Sequence, residues 1–155
     1  MALHDVELVN ASVPRTASLA EAAARLLAAS VPALAVLDEA ERVTGIFSQE
    51  DLLKAVFPGY LEEVRHTAFM PEDAPSLKKL AREVRDRPVS EFARECDTLR
   101  ADDSKLHAAE RFVHTHEGAL PVVDDDRFVG MVSIAALCHA RLERAAELSR
   151  ERQSS

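Results

Sequence analysis

The chain has 155 residues, 47% hydrophobic and 30% charged, a composition typical of one folded domain or of two small units sharing a core. Its formal net charge is −8 and it has no lysine- or arginine-rich run, which argues against a nucleic-acid partner. The chain has two cysteines far apart in sequence, which argues against a disulfide framework. It has no basic and apolar leader and no run of about 18 apolar residues, which argues against a signal peptide and a membrane partner. We therefore expect a cytoplasmic protein.

After a short leading strand at Val13, the first half of the chain predicts a helix, two strands and a second helix. The first helix carries Leu26 and Leu27 among apolar residues at helical spacing. It follows Ser18-Leu-Ala-Glu21, a capping box in which the serine oxygen accepts a backbone N–H and the glutamate reaches back. Two short apolar runs, residues 34–37 and 43–47, flank a polar turn and predict buried strands. Gly45 in the second run indicates a bulge or a close backbone approach.

Ser48 is predicted to cap the second helix, whose inner face carries Leu52, Leu53 and Val56. Pro58-Gly59 ends that helix. About 30 residues of different character follow, with helices predicted over residues 61–70 and 77–84. Since no Gly/Ser-rich linker interrupts them, two independent domains are not expected.

The second half of the chain repeats the first. Residues 18–38 align without a gap on residues 104–124 at an offset of 86, with 8 identities in 21 positions. After a one-residue gap the offset becomes 85, and residues 43–48 match residues 128–133. Both halves of the chain have the same order of elements, namely helix, strand, turn, strand and serine. This shared order indicates a tandem repeat. One such unit is too small to cover both faces of its strands, so we expect the two units to share one core.

The second copy predicts the same elements in the same order. A short leading strand within residues 97–100 precedes a helix with Leu106, Ala109, Phe112 and Val113 at helical spacing, then strands at 120–123 and 128–132. Ser133 caps a last helix, whose inner side is predicted to carry Leu137, Cys138, Leu142 and Ala145. Arginines and glutamates then alternate in a charged tail.

The phrase from Glu117 to Ser133 resembles the strand–turn–strand signature of the CBS domain, named after cystathionine β-synthase, and residues 45–53 resemble its strand-to-helix signature. The resemblance implies a mixed α/β (α+β) fold. Two β-α-β-β-α repeats would pack with pseudo-two-fold symmetry into a Bateman module. The predicted divisions are residues 1–57 (repeat one), 58–87 (an inter-repeat helical segment), 88–142 (repeat two) and 143–155 (the charged helical tail).

The resemblance also implies a function. Such modules are regulatory and not enzymes; they often form homodimers and signal to a protein partner, here in trans. The cleft between their repeats commonly binds an adenosine-containing ligand such as AMP, ADP, ATP or S-adenosylmethionine, with no obligatory cofactor. The family motif Ser/Thr-x-x-Asp is Ser48-Gln-Glu-Asp51 here, and the implied ligand-binding residues are Ser48, Asp51, Ala33, Ala35, Val36 and Arg15.

An alternative stays open for the same residues. Ser-x-x-Asp at a helix start is also an ordinary N-cap. Repeat one lacks the glycine and proline that repeat two has as Gly118 and Pro121, and repeat two has Ala136 where repeat one has Asp51. The chain could therefore be a ligand-free, dimerising interaction protein with vestigial pockets. Either Arg15 or Arg100 could offset the charge of Glu50 beside a phosphate, or both could be solvated.

Metal and catalytic sites find little support in the sequence. His107 and His114 share a helix face, but no His/Cys/Glu set has metal-ligand spacing. The acidic run 124–126 is typical of a turn. No Gly-rich phosphate loop or GxSxG motif is present, and Cys96 and Cys138 are interpreted as small core residues.

Overall fold

The computed structural model describes residues 3–57 and 74–154. Repeat one contains β1 (Ser12–Pro14), α1 (Leu19–Ala28), β2 (Ala33–Leu37), β3 (Val43–Ser48) and α2 (Gln49–Val56). An α-helix, α3 (Ala74–Glu83), and a 3₁₀ helix, Val89–Glu91, precede repeat two. Repeat two contains β4 (Leu99–Arg100), α4 (Lys105–Thr115), β5 (Ala119–Asp124), β6 (Arg127–Ser133) and α5 (Ile134–Gln153). The helix predicted over 61–70 and the stop at Pro58-Gly59 lie outside the described residues.

Each repeat forms one three-stranded sheet, in the order β1-β2-β3 or β4-β5-β6. The central strand is parallel to the first and antiparallel to the third. The helix between the first and central strands supplies the crossover that a parallel pair needs. The predicted α/β fold of two β-α-β-β-α repeats is confirmed.

The third strand of each sheet bulges next to its glycine. The register shifts opposite Gly45 in β3 and opposite Gly130 in β6. A Cβ on Gly45 would lie 2.7 Å from the carbonyl oxygen of Arg94, and one on Gly130 would lie 2.7 Å from Cβ of Leu8. The sequence prediction of a bulge or a close approach is therefore confirmed in both senses.

The two repeats exchange the segments that lead into them. Val9, ahead of repeat one, forms a bridge with Met131 in β6, and Arg94, ahead of repeat two, forms a bridge with Ile46 in β3. Val9 and Arg94 differ by the repeat offset of 85, as do Ile46 and Met131. Each outer strand is thus extended by backbone from the other repeat, which ties the two sheets together.

The core consists of two adjoining clusters instead of the single shared core expected. The first is built mainly on repeat one and includes Ala119 and Met131 of repeat two. The second is built on repeat two and is completed by Leu3 and Val6 from the N-terminal segment. Strands β2 and β3 pack against β5 between them.

Several helix residues predicted to face inward are exposed, namely Leu27, Leu53, Leu106, Val113, Cys138, Leu142 and Ala145. Leu27, for example, is 89% exposed, whereas its neighbour Leu26 is 3% exposed. Successive residues lie about 100° apart around a helix, and each three-stranded sheet covers one narrow stripe. The apolar face of these helices is therefore wider than the face the fold buries. Among the described helices, none is both long and apolar enough to cross a membrane.

Candidate functional site

The predicted motif Ser48-Gln-Glu-Asp51 lies where β3 passes into α2. Ser48 is the N-cap: its Oγ accepts the backbone N–H of Asp51 at 3.2 Å. In return Oδ2 of Asp51 accepts the backbone N–H and the hydroxyl of Ser48, each at 2.9 Å. This reciprocal capping box fixes the carboxylate in the first turn of α2.

The start of α2 is also tied to the strand before it. The N–H of Gln49 donates to the carbonyl of Pro32 at 3.0 Å, and the equivalent bond in repeat two joins Ile134 to Gly118 at 3.2 Å. Because Ala33 pairs with Ser48 across the sheet, the cap lies at the amino end of β2. Backbone contacts to the segment that enters β2 therefore fix the start of the motif.

Arg94 meets that carboxylate from the segment that leads into repeat two. Its backbone exchanges two hydrogen bonds with Ile46, of 2.8 and 3.0 Å. Its Nε donates to Oδ1 of Asp51 at 2.6 Å, and its Nη1 donates to Oε1 of Glu117 at 2.7 Å. One guanidinium thus joins α2 of repeat one to the residue ahead of β5 in repeat two.

The two carboxylates of this bridge are largely shielded from water, whereas the arginine between them is partly exposed. The Asp51 side chain is 6% exposed, that of Glu117 11% and that of Arg94 44%. Burial alone would raise the pKa of Asp51, but hydrogen bonds from Arg94 and Ser48 outweigh it and leave the pKa lowered. Hydrogen bonds to Glu117 and Asp51 raise the pKa of Arg94. The Asp51–Arg94 pair is therefore charged at neutral pH.

A shallow, open depression of about 340 Å³ lies beside the bridge. Its lining consists of Arg94, Glu95, Cys96, Asp97, Thr115 and Glu117. Burial, together with the charges of Glu117 and Asp97, raises the pKa of the Cys96 thiol to about 11. Cys96 is therefore a protonated, half-buried thiol, in keeping with the structural role predicted for it.

The predicted site residues are placed in three different settings. Ser48 and Asp51 are together, as described above. Ala33, Ala35 and Val36 have side chains buried in the first core cluster. Arg15 is exposed, and its N–H donates to the carbonyl of Leu37 at the carboxyl end of β2. That end is roughly 13 Å from the cap, given about 3.3 Å per strand residue.

The basic residue at the site is neither of the two that the sequence suggested. Arg100 is exposed, and Nε of its guanidinium lies 3.5 Å from Oδ1 of Asp102. Arg94 was missed because it lies in the lead-in segment, outside the recognisable motif. The sequence alignment of the repeats begins at Ser18 and Ser104, so it offers no signal for Arg94. The equivalent bridges of Val9 and Arg94 show that a charge stands there in place of an apolar side chain.

The equivalent positions of the other repeat carry no charge. At the offsets of 85 and 86, Asp51 corresponds to Ala136, Arg94 to Val9 and Glu117 to Val31. Ser133 still caps its helix, by accepting the N–H of Ala136 at 3.0 Å. The two sets of equivalent positions therefore differ in kind: three charged residues in one and three apolar residues in the other.

The histidines that share a helix face lie beside acids on the surface. His107 is 3.8 Å from Asp103, and His114 is 3.6 Å from Glu110. Within residues 3–57 and 74–154, no group of three or more His, Cys, Asp or Glu side chains is arranged to hold a metal ion. Both cysteines are free.

Comparison with known proteins gives a consistent result. A family model described as the CBS domain matches residues 5–58 and 81–143. A solved CBS domain-containing protein of unknown function from Kribbella flavida has a TM-score of 0.71 at 17% identity, over 89% of this chain and 95% of that one. No curated protein matches the sequence.

Two further solved structures show the same fold. One is the CBS domain of a CBS domain containing membrane protein from Sphaerobacter thermophilus, with a TM-score of 0.66 at 22% identity over 88% of this chain and 83% of that one. The other is CBSX2 in complex with AMP, with a TM-score of 0.63 at 22% identity over 90% of each chain.

Proposed function

Because this chain belongs to the CBS domain family and carries two of its repeats, we propose that it is a non-catalytic sensor that binds an adenosine-containing ligand at Ser48 and Asp51. AMP, ADP, ATP and S-adenosylmethionine are the candidate ligands, since all contain adenosine. CBSX2, a structural neighbour, was solved in complex with AMP. The bound state would be passed in trans to a protein partner.

The observation that carries the proposal is the position of the Asp51 carboxylate. It is held in the first turn of α2 and faces residues of the other repeat. A carboxylate can accept both hydroxyls of a ribose. The positive dipole end of α2, at its N-terminus, attracts a phosphate. A ligand bound here would contact both repeats and would favour one of their relative arrangements.

A thermal-shift panel with AMP, ADP, ATP and S-adenosylmethionine at millimolar concentration tests the proposal. A ligand at 100 times its dissociation constant adds about 2.7 kcal/mol of stability. We expect at least one ligand to stabilise the wild-type chain, and Asp51→Asn to lose that shift relative to its own ligand-free midpoint. Glu39→Gln, which removes an exposed acid in the turn between β2 and β3, is the matched control. If Asp51→Asn keeps the full shift, the site assignment is wrong.

A second candidate function is a ligand-free, dimerising interaction protein. It is favoured by the guanidinium of Arg94, which already occupies Asp51, and by Ala136 at the equivalent position. Protein purified from cells without adenine absorbance, together with no shift across the whole panel, would support this candidate over the first. The cytoplasmic location expected from the sequence stays a prediction in either case.

Exposed apolar side chains at equivalent positions support assembly with a second copy of the chain. The equivalent pairs are Leu27 and Val113, Leu53 and Cys138, and Phe57 and Leu142. A two-fold dimer needs a self-complementary surface. The internal repeat places equivalent exposed apolar residues on the helices of both repeats, and such a repeated surface can be self-complementary. We therefore propose a homodimer formed through the helices of both repeats.

A further inference from the structure

We propose that Arg94 competes with the ligand for Asp51. The arginine pairs with Asp51 in the ligand-free chain and must leave it when a ligand binds. The inference rests on the proposed function, because it concerns the same carboxylate. It adds a residue outside the motif that sets the affinity of the site and links binding to the contact between the two repeats.

Occupancy of the carboxylate is the first step. Oδ1 of Asp51 accepts from Arg94, and Oδ2 accepts twice from Ser48. With the Asp51 side chain 6% exposed, no ribose hydroxyl can approach while the guanidinium stays in place. The bonds to Ser48 belong to the helix cap, so the contact with Arg94 is the one that can be exchanged.

Freedom of movement is the second step. The backbone of Arg94 is fixed by its two hydrogen bonds with Ile46, but its side chain is 44% exposed. The guanidinium can therefore turn toward solvent while its backbone stays in the sheet. Glu117 is its second anchor, and that contact belongs to repeat two.

The third step is the consequence for the two repeats. A ligand that takes Asp51 removes the ion pair by which Arg94 links α2 to Glu117. Linkage is reciprocal, so a ligand that breaks the bridge must bind more tightly once the bridge is absent. The equivalent positions are Ala136, Val9 and Val31. The charged bridge of Asp51, Arg94 and Glu117 therefore has no counterpart at those positions.

A different role for the same arginine predicts the opposite result. If Arg94 directly contacted the bound ligand, for example a phosphate, its removal would weaken binding. Measuring the sign of the change therefore separates competition from recognition.

Isothermal titration of the full chain with AMP, ATP and S-adenosylmethionine makes this measurement. We expect Arg94→Ala to bind the preferred ligand roughly tenfold more tightly than wild type, within the usual range of coupling between sites. Glu117→Gln keeps the arginine and loses one anchor, so it should show a smaller gain. Arg85→Ala removes an exposed arginine paired with Asp86 and should leave affinity within twofold.

The remaining outcomes are equally decisive. Binding by Arg94→Ala without detectable binding by wild type would support the competitor. Equal or weaker binding by both Arg94→Ala and Glu117→Gln would overturn it and leave the proposed ligand site standing. If neither wild type nor either variant binds any of the three compounds, the proposed function and the inference both fail.

Discussion

Nε of Arg94 lies 2.6 Å from Oδ1 of Asp51, although the two residues are 43 positions apart in the chain. One belongs to the segment that leads into repeat two, and the other to the first helical turn after β3. The contact exists because each lead-in segment pairs with the outer strand of the other repeat. Several properties of the protein should depend on this one pair.

We expect a measurable coupling between Asp51 and Arg94 in the free energy of unfolding. A double-mutant cycle with Asp51→Asn and Arg94→Gln should give about 1 kcal/mol, since one partner is buried and the other half-exposed. Urea unfolding monitored by circular dichroism measures it. The exposed pair Arg85–Asp86, with side chains 61% and 74% exposed, should give a value near zero. Equal coupling in the two cycles would contradict the buried character of the first pair.

Stability should depend on pH through Asp51. Its pKa is lowered in the folded chain because hydrogen bonds from Arg94 and Ser48 outweigh burial. Its contribution is therefore fully present above the unfolded pKa of about 3.9 and is lost as pH falls through the folded pKa. The difference in unfolding free energy between wild type and Asp51→Asn should be constant from pH 7 to pH 5 and should shrink below about pH 4. A difference in unfolding free energy that grows on acidification would show that the pKa of Asp51 is raised by folding and not lowered.

Gly45→Ala should loosen the segment that carries Arg94. The new Cβ would lie 2.7 Å from the carbonyl oxygen of Arg94, which is a backbone atom held in the bridge to Ile46. We expect a loss of roughly 2 kcal/mol in unfolding free energy and faster hydrogen exchange at the amides of Ile46 and Arg94. Gly118→Ala, whose Cβ would meet a side-chain atom of Pro32 at 2.9 Å, should leave those two amides protected.

Assembly should depend on the exposed apolar positions that the two repeats share. Multi-angle light scattering of wild type should give twice the mass of the 17.0 kDa chain. The double variant Leu27→Glu/Val113→Glu should be monomeric, because dimer formation would bury its charges without partners. Leu77→Glu, on the exposed side of α3 and without a repeat equivalent, is the control and should stay dimeric. A monomeric wild type would remove the homodimer from the proposal.

The two cysteines should differ in reactivity. Cys96 has a pKa of about 11, so roughly one thiol in a thousand is ionised at pH 8. Cys138 is exposed on α5. Iodoacetamide labelling followed by mass spectrometry should modify Cys138 first and Cys96 far more slowly. Equal rates in the folded chain would contradict the half-buried setting of Cys96.

Features that depend on neighbouring residues could be predicted from the sequence. The serine caps at Ser18, Ser48 and Ser133 each accept a backbone N–H three residues on. At Ser18 only this half of the predicted capping box is formed, and the reciprocal box is at Ser48 and Asp51 instead. The bulged glycines were predicted because a glycine inside an apolar strand has few other uses. The order of elements and the membership of the CBS domain family followed from the internal repeat and its motifs.

The burial of the helices and the composition of the site could not be predicted in the same way. Helical spacing places Leu26 and Leu27 on adjoining parts of one apolar face, yet the sheet covers the first and leaves the second exposed. Likewise, Arg15 and Arg100 were reasonable partners for Asp51 by position, but β1 takes Arg15 to the far end of β2. Periodicity reports which residues are apolar, and does not report how wide a face the neighbouring layer covers.

The sequence by itself determined the repeat, the β-α-β-β-α order and the serine caps at Ser18, Ser48 and Ser133, since these depend on contacts within a few residues. Only the tertiary structure decided that Arg94 and Glu117 complete the site. Their meeting requires two sheets to pack and to exchange lead-in segments. That arrangement is set by long-range packing and hydrogen bonds between the repeats, for which no short stretch of sequence carries a local signal.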